Sequence, residues 1–260
     1  MISGANKDVK ITLGGSAQHA FGVSGSGSLT IEGLTVGCED DSHMSSLVSI
    51  SGSGSPTVVL RDISYNVSGT GSKSFRCAVS SQVSSYTPKV RLERCSLYLH
   101  GGLFWGHFSE VSARDSDFHF ASATGVAQQV LSPTWSSITT TAGATAARTL
   151  FSNCQFLGLK NSNSSTPIFA YDNTTSSAML FDRCVLGSFL SGSNDTSILF
   201  NLSGPDALFY ACTVANDGGA PGVFVDGGTG GGSVDIHRCN IKLVVRTGQV
   251  GIRARSVRDT

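Results

Sequence analysis

The sequence predicts an all-β chain wound as a parallel β-helix, a solenoid of about eight coils, and three observations lead there. A phrase of fixed pattern recurs along the 260 residues: TLFSNCQFLG at 149–158, MLFDRCVLGS at 179–188, ALFYACTVAN at 207–216 and SVDIHRCNIK at 233–242. Apolar residues fall in short alternating runs. Turn formers such as SGSGSP, DNTTSS and DGGTGGG stand between those runs.

In register, the phrase reads apolar, any, apolar, any, any, cysteine, any, apolar. Its sixth position is held by Leu34, Ile63, Cys95, Ser116, Cys154, Cys184, Cys212 and Cys239. Two apolar positions precede it, as in Leu29 and Ile31 or Met179 and Phe181, and one follows it, as in Val36 or Leu186. Alternation at period two buries one face of a strand. Ahead of each phrase lies a second apolar run: AFGV, LVSI, CAVS, LFWG, AQQVL, PIFA, ILFN and GVFV. Each unit is therefore a strand, a tight turn, a bent strand and a variable loop. The sixth-position spacings of 29, 32, 21, 38, 30, 28 and 27 residues are too irregular for propeller blades but natural for coils with variable loops.

A short bent strand cannot bury its apolar face alone. Stacking coils about 4.8 Å apart, like residue over like, encloses a continuous core and gives a prism on the order of 40 Å long. An antiparallel sandwich or propeller offers no reason for four successive cysteines at one pattern position. Cysteine suits that position as a small apolar residue that stacks on itself. The column is expected to be a buried, reduced thiol ladder, because stacking points the Cβ vectors parallel instead of toward each other. No C-x-x-C pair suggests zinc.

Residues 1–260 are read as one β-helix domain with a long insertion at 121–147. Strand character begins already in KDVKITLGGS, so the chain is expected to be an excised piece of a longer one. Charged residues are only 14%, with 18 basic against 18 acidic, so nothing in the overall balance attracts nucleic acid or anionic membrane. No apolar stretch approaches the roughly 18 residues of a membrane span, and the N-terminus lacks the pattern of a signal peptide. Near the other end, Lys242, Arg246, Arg253, Arg255 and Arg258 form either a polyanion-binding arm or, as favoured here, part of a strand of a ninth coil.

The pattern resembles the right-handed parallel β-helix, or pectate-lyase-like, superfamily over residues 9–245, which implies a single-stranded, right-handed winding. That superfamily includes lyases, hydrolases, phage tailspikes and adhesins, so the resemblance points to a fold and not to one activity. SNCQF-type phrases in a Ser/Thr/Gly-rich chain are also faintly similar to repetitive protist surface proteins of the trypanosomatid dispersed gene family.

Candidate sites are few. Glu39, Asp40 and Asp41, with His43 beside them, offer oxygen ligands to a hard cation such as calcium, or form a solvated acidic loop. Asp115, Asp117 and His119 are candidate acid/base residues, but the outward position after the column holds just one carboxylate, Asp117. Trp105 and His107, near His100 and Tyr98, are candidates for stacking on a sugar, with either Trp105 or Phe104 turned into the core. Alternating charges beside the column, such as Arg61 and Asp62 or Glu93 and Arg94, read as register marks along a coil corner. Leu150, Leu180 and Leu208 form an outward apolar stripe that the 121–147 insertion or another subunit should cover, which makes a homo-oligomer one expectation. Sequons start at Asn66, Asn163, Asn173, Asn194 and Asn201, and matter only in a secreted eukaryotic protein.

Two functional readings follow. The favoured one is a non-enzymatic extracellular, cell-surface or virion solenoid for adhesion or recognition, glycans included, with no cofactor beyond a calcium ion at the acidic loop. The alternative is a polysaccharide lyase or glycoside hydrolase acting on an acidic polysaccharide.

Overall fold

A computed structural model describes residues 2–3, 10–13, 19–38, 46–52, 54–65, 77–81, 88–99, 102–106, 108–120, 131–132, 148–157, 169–172, 178–187, 198–203, 206–215, 223–227, 233–242 and 252–254. The described residues form parallel strands in three nine-stranded sheets, and the chain visits the sheets in turn. The fold is a parallel β-helix. Nine coils are described, where the repeat implied about eight. The added coil is N-terminal, built from Ile2–Ser3, Lys10–Leu13 and His19–Ser24, and it carries no copy of the cysteine phrase. At the far end, Ile252–Ala254 pairs with Val225–Gly227 in the third sheet, so the basic C-terminal stretch supplies a strand of the ninth coil.

The bent strand of the sequence pattern is two strands in different sheets. Thr57–Arg61 lies in the first sheet and Ser64–Tyr65 in the second, with Asp62 and Ile63 between them at a corner. The register matches the repeat: Leu29, Val58, Val90, Val111, Thr149, Met179, Ala207 and Val234 form one row along the first sheet. The third sheet holds the second apolar run, and its strands Ser46–Ser51 and Cys77–Ser81 are buried almost throughout, as expected where a parallel sheet is covered on both faces.

The corner explains why coils stack in this register. Asp62, Arg94, Asp115, Asn153, Arg183, Ala211 and Arg238 all adopt φ between 51° and 53°, and Gly33 takes 69°. A left-handed conformation costs a non-glycine residue about 1–2 kcal/mol. Hydrogen bonds between successive corners offset that cost. The Asp62 N–H donates to the Glu93 carbonyl of the next coil at 2.9 Å, and the Ser96 N–H donates back to the Ile63 carbonyl at 2.9 Å. The same pair of bonds recurs down to Ala211 with His237 and Asn240 with Cys212. The sheet ladder therefore passes through the corner unbroken.

One backbone donor per corner, the N–H of the column residue, needs a different partner. The Cys95 N–H donates to the Ser116 Oγ at 3.0 Å, and the Cys212 N–H to the Cys239 Sγ at 3.4 Å. The column side chains lie within donating distance of the carbonyl two residues back in their own coil, as Ser116 to Arg114 at 2.7 Å, Cys154 to Ser152 at 3.3 Å and Cys239 to His237 at 3.3 Å. Cys95, Cys212 and Cys239 also reach a carbonyl of the preceding coil, Leu60 at 3.4 Å, Phe181 at 3.2 Å and Phe209 at 3.4 Å. Cysteine and serine thus share the column because both are small and both carry an acceptor and a donor at the same place. The sequence pattern read cysteine as an apolar filler, and its hydrogen-bonding role is the addition the structure makes. Cys95, Cys154, Cys184 and Cys212 are buried free thiols, while Cys239 is half-buried. Burial pushes the Cys95 thiol up to about 11. Hydrogen bonding to Cys154, reinforced by burial, pushes Cys184 up to about 12.

Inside the coils, Phe151, Phe181 and Phe209 follow one another in the first sheet with ring centroids 5.2 and 5.0 Å apart, and Phe156 of the second sheet meets Phe151 edge-on at 5.1 Å. Thr149 is the exception in this core. It is fully buried in the row of Val58, Val90 and Val111, and its hydroxyl has no hydrogen-bond partner. A buried hydroxyl without a partner is destabilising. Thr149→Val keeps the shape and is expected to stabilise the fold by about 1 kcal/mol, read as a rise in the denaturation midpoint. Loss of stability would show that the hydroxyl is satisfied.

Maleimide labelling of the native protein at pH 8 checks the ladder. Cys154, Cys184 and Cys212 should react only on denaturation and Cys239 faster than the three. Fast native labelling of Cys184 would contradict the inward column.

Candidate functional site

Alternation in the second sheet turns Leu97, Leu99 and Phe118 into the core and sends Ser96, Tyr98, Asp117 and His119 outward. Register then builds two parallel rows on the outer face. One row is Ser96, Asp117 and Gln155; the other is Tyr98, His119 and Leu157. Tyr98 and His119 stack with ring centroids 4.6 Å apart and planes 8° from parallel. Tyr98 is 37% exposed and His119 half-buried. The pair presents aromatic edges and outer faces beside a polar row about 7 Å away along the strands. Aromatic surface flanked by a hydroxyl, a carboxylate and an amide is the chemistry that holds a sugar: the apolar side of the ring lies on the aromatic group and the hydroxyls find donors and acceptors.

The two rings come from different parts of the sequence reading, Tyr98 from the aromatic run and His119 from the acid/base group. Only the coil register brings them together. Asp117 lies on the same outward face as His119, whereas Asp115 sits at the exposed corner and accepts a 2.8 Å bond from Asn153 Nδ2. Among the described residues no hydrogen bond or ion pair joins Asp115, Asp117 and His119. Trp105 ends the strand Gly102–Trp105, in register with Ser80 and Ser132, and Phe104 is the residue buried in the core. His107 and the acidic loop residues Glu39, Asp40 and Asp41 lie outside the described residues, as do all the sequons except Asn201, which lies in the third sheet opposite Ala170. Among the described residues no group of three or more His, Cys, Asp or Glu side chains is placed to hold a metal ion, and no helix is long and apolar enough to cross a membrane.

Charge runs along the corner beside this face. Arg61 bridges Glu93 at 2.8 Å and Glu32 at 3.5 Å, and Arg114 reaches the same Glu93 at 3.3 Å. One position further on, Arg94 grips Asp62 through two bonds of 2.8 Å. Each bond links neighbouring coils, as the alternating charges of the sequence suggested. A shallow concavity of about 140 Å³ opens at this corner, lined in part by Asp62, Ser64, Arg94 and Ser96. Its two charged groups already satisfy each other. The ladder therefore marks register and does not form a ligand site.

No family model matches this chain, and neither a curated protein nor a solved structure matches it.

The Arg61 hydrogen bond holds the Glu93 carboxyl below the ordinary carboxylate range, against the opposing effect of burial. A depressed folded-state value means that this stability is present above the unfolded value of about 4.3 and is lost as pH falls through the lower folded one. Glu93→Gln should therefore lower the melting midpoint at pH 7 and leave it close to that of the unaltered protein at pH 2–3. An equal deficit at both pH values would show that packing, and not charge, is what Glu93 supplies.

Proposed function

We propose that this chain is a non-enzymatic recognition solenoid of the pectate-lyase-like kind, working at a cell surface, on a virion or in the extracellular space, and that it takes a glycan on the outer face of the second sheet. The observation that carries this reading is the Tyr98–His119 stack beside the row Ser96, Asp117 and Gln155. A rigid sheet fixes both rows without a mobile loop, which lowers the ordering cost of binding. Low charge and many small polar residues fit a surface that reads neutral hydroxyls.

Glycoside hydrolysis asks for more than this face supplies. Its usual form needs two carboxyl groups, about 5–5.5 Å apart for retention or about 6.5–9.5 Å for inversion. The outward row after the corner runs Thr35, Ser64, Ser96, Asp117, Gln155, Val185, Thr213 and Asn240, with one carboxylate. Recognition needs no second.

A glycan array of neutral and acidic oligosaccharides, followed by calorimetric titration of the best ligand, tests the proposal. Tyr98→Ala and His119→Ala should each weaken binding about two- to tenfold, the scale of one lost aromatic contact. Ser64→Ala, two coils away from His119, should not. Binding that ignores both aromatic substitutions, or an array without a ligand, overturns the assignment. Shortening of pectin or alginate chains that depends on Asp117 would replace it with the enzymatic reading.

A further inference from the structure

On the outer face of the first sheet, Leu150, Leu180 and Leu208 stand in register on three successive coils. Leu208 is 36% exposed and the other two are half-buried. Two residues before them along each strand, the same register sets Arg148, Ala178 and Asp206 in a row, all exposed. The face thus carries an apolar centre, a cation at one end and an anion at the other.

That arrangement is self-complementary, and one symmetry pairs its two opposite end charges. Consider a two-fold axis lying in the plane of the face and running along the strand Ala178–Asp182. It brings the faces of two copies together with their coil axes antiparallel. Leu180 then meets Leu180 of the second copy, Leu150 meets Leu208 of the second copy, and Arg148 meets Asp206 of the second copy, twice over. Asp182 also falls on the axis, and its charge is held in its own chain by Arg183 at 2.8 Å and Ser152 at 3.0 Å. One coil further out, Ser112 meets Asp235 of the second copy, and Arg114, paired in its own chain with Glu93, meets His237 of the second copy. A two-fold along the solenoid axis would instead set Arg148 against Ser152 and Asp206 against Tyr210. Within the five coils the opposite charges it would bring together, Glu110 and Arg114 of the second copy, lie two coils from Leu180 and are already paired in their own chain with Arg91 and Glu93.

We propose that this face is the interface of an antiparallel homodimer, closed about Leu180 and steered by Arg148 and Asp206. Its partner is a second copy of this chain. Five coils of the sheet present a face of roughly 19 Å by 13 Å, which is smaller than the roughly 800 Å² per partner of a standard stable interface. The dimer is accordingly weak and reversible.

Sedimentation velocity of the full chain over a concentration series tests this, with thermal melting to confirm that each variant is folded. The unaltered protein should pass from monomer to dimer, and Leu180→Lys should stay monomeric at every concentration with its melting retained. Arg148→Glu should weaken association, and adding Asp206→Arg should restore it. Cross-linking fixes the symmetry: Leu180→Cys should cross-link to itself, Leu150→Cys alone should not, and Leu150→Cys mixed with Leu208→Cys should. A chain that is monomeric throughout overturns the proposal and leaves the 121–147 insertion as the candidate cover. So does a dimer indifferent to Leu180→Lys, or a Leu150→Cys variant that cross-links to itself.

Discussion

The structure depends on the corner between the first and second sheets. A chain that turns sharply inside a parallel sheet normally leaves backbone donors and acceptors without partners. Here the left-handed residue and the residue after the column keep the ladder running from coil to coil, and the column side chain of the following coil accepts the remaining N–H, as Ser116 does for Cys95 and Cys239 for Cys212. Leu34 and Ile63 fill the column as buried apolar side chains in two coils. From Cys95 onward cysteine and serine both fill it and offer an acceptor, so the repeat is visible there as a cysteine phrase.

Once the corners are locked one above another, every outward position becomes a line along the solenoid. The position before the corner becomes the Glu32, Arg61, Glu93, Arg114 charge ladder. Three positions beyond the column residue, a tyrosine and a histidine separated by twenty-one residues of sequence become a stacked pair. Three leucines, each three positions before the left-handed corner residue, become a stripe. None of these features requires its own local structure. Each is a consequence of register, so the surface can change its chemistry row by row without disturbing the core of Phe151, Phe156, Phe181 and Phe209.

The inward pattern was legible in the sequence because burial imposes a strict period of two, and the rows from Leu29 to Val234 and from Val36 to Ile241 fall where that period places them. The corner was not legible. Apart from Gly33 its left-handed residues are Asp, Arg, Asn and Ala, with no glycine or proline to punctuate the strand, so two strands in two sheets read as one that bends. The first coil was read in part, with KDVKITLGGS as strand and AFGV as an apolar run, but it was left out of the coil count because it carries no cysteine phrase. The Tyr98–His119 pair was hidden for another reason: each residue invited a separate reading, and only the pairing of Ser96–Leu99 with Asp117–Phe120 joins them. Thr149 was invisible as a defect, since threonine in a strand is ordinary until the neighbours of its hydroxyl are known.

The central claim is the single register carried by the corners, and inter-coil distance tests it most directly. Nitroxide labels on outward positions of one row, measured pairwise by pulsed electron resonance in protein diluted to the monomer, should give separations that grow linearly with coil number. About 24 Å is expected between Ser64 and Thr213, five coils apart, and about 34 Å between Thr35 and Asn240, seven apart. Backbone spacings that follow this line support the stacked corners. Separations that fail to increase in coil order would show that the repeats do not stack in sequence, and the parallel β-helix would be the wrong account of this chain.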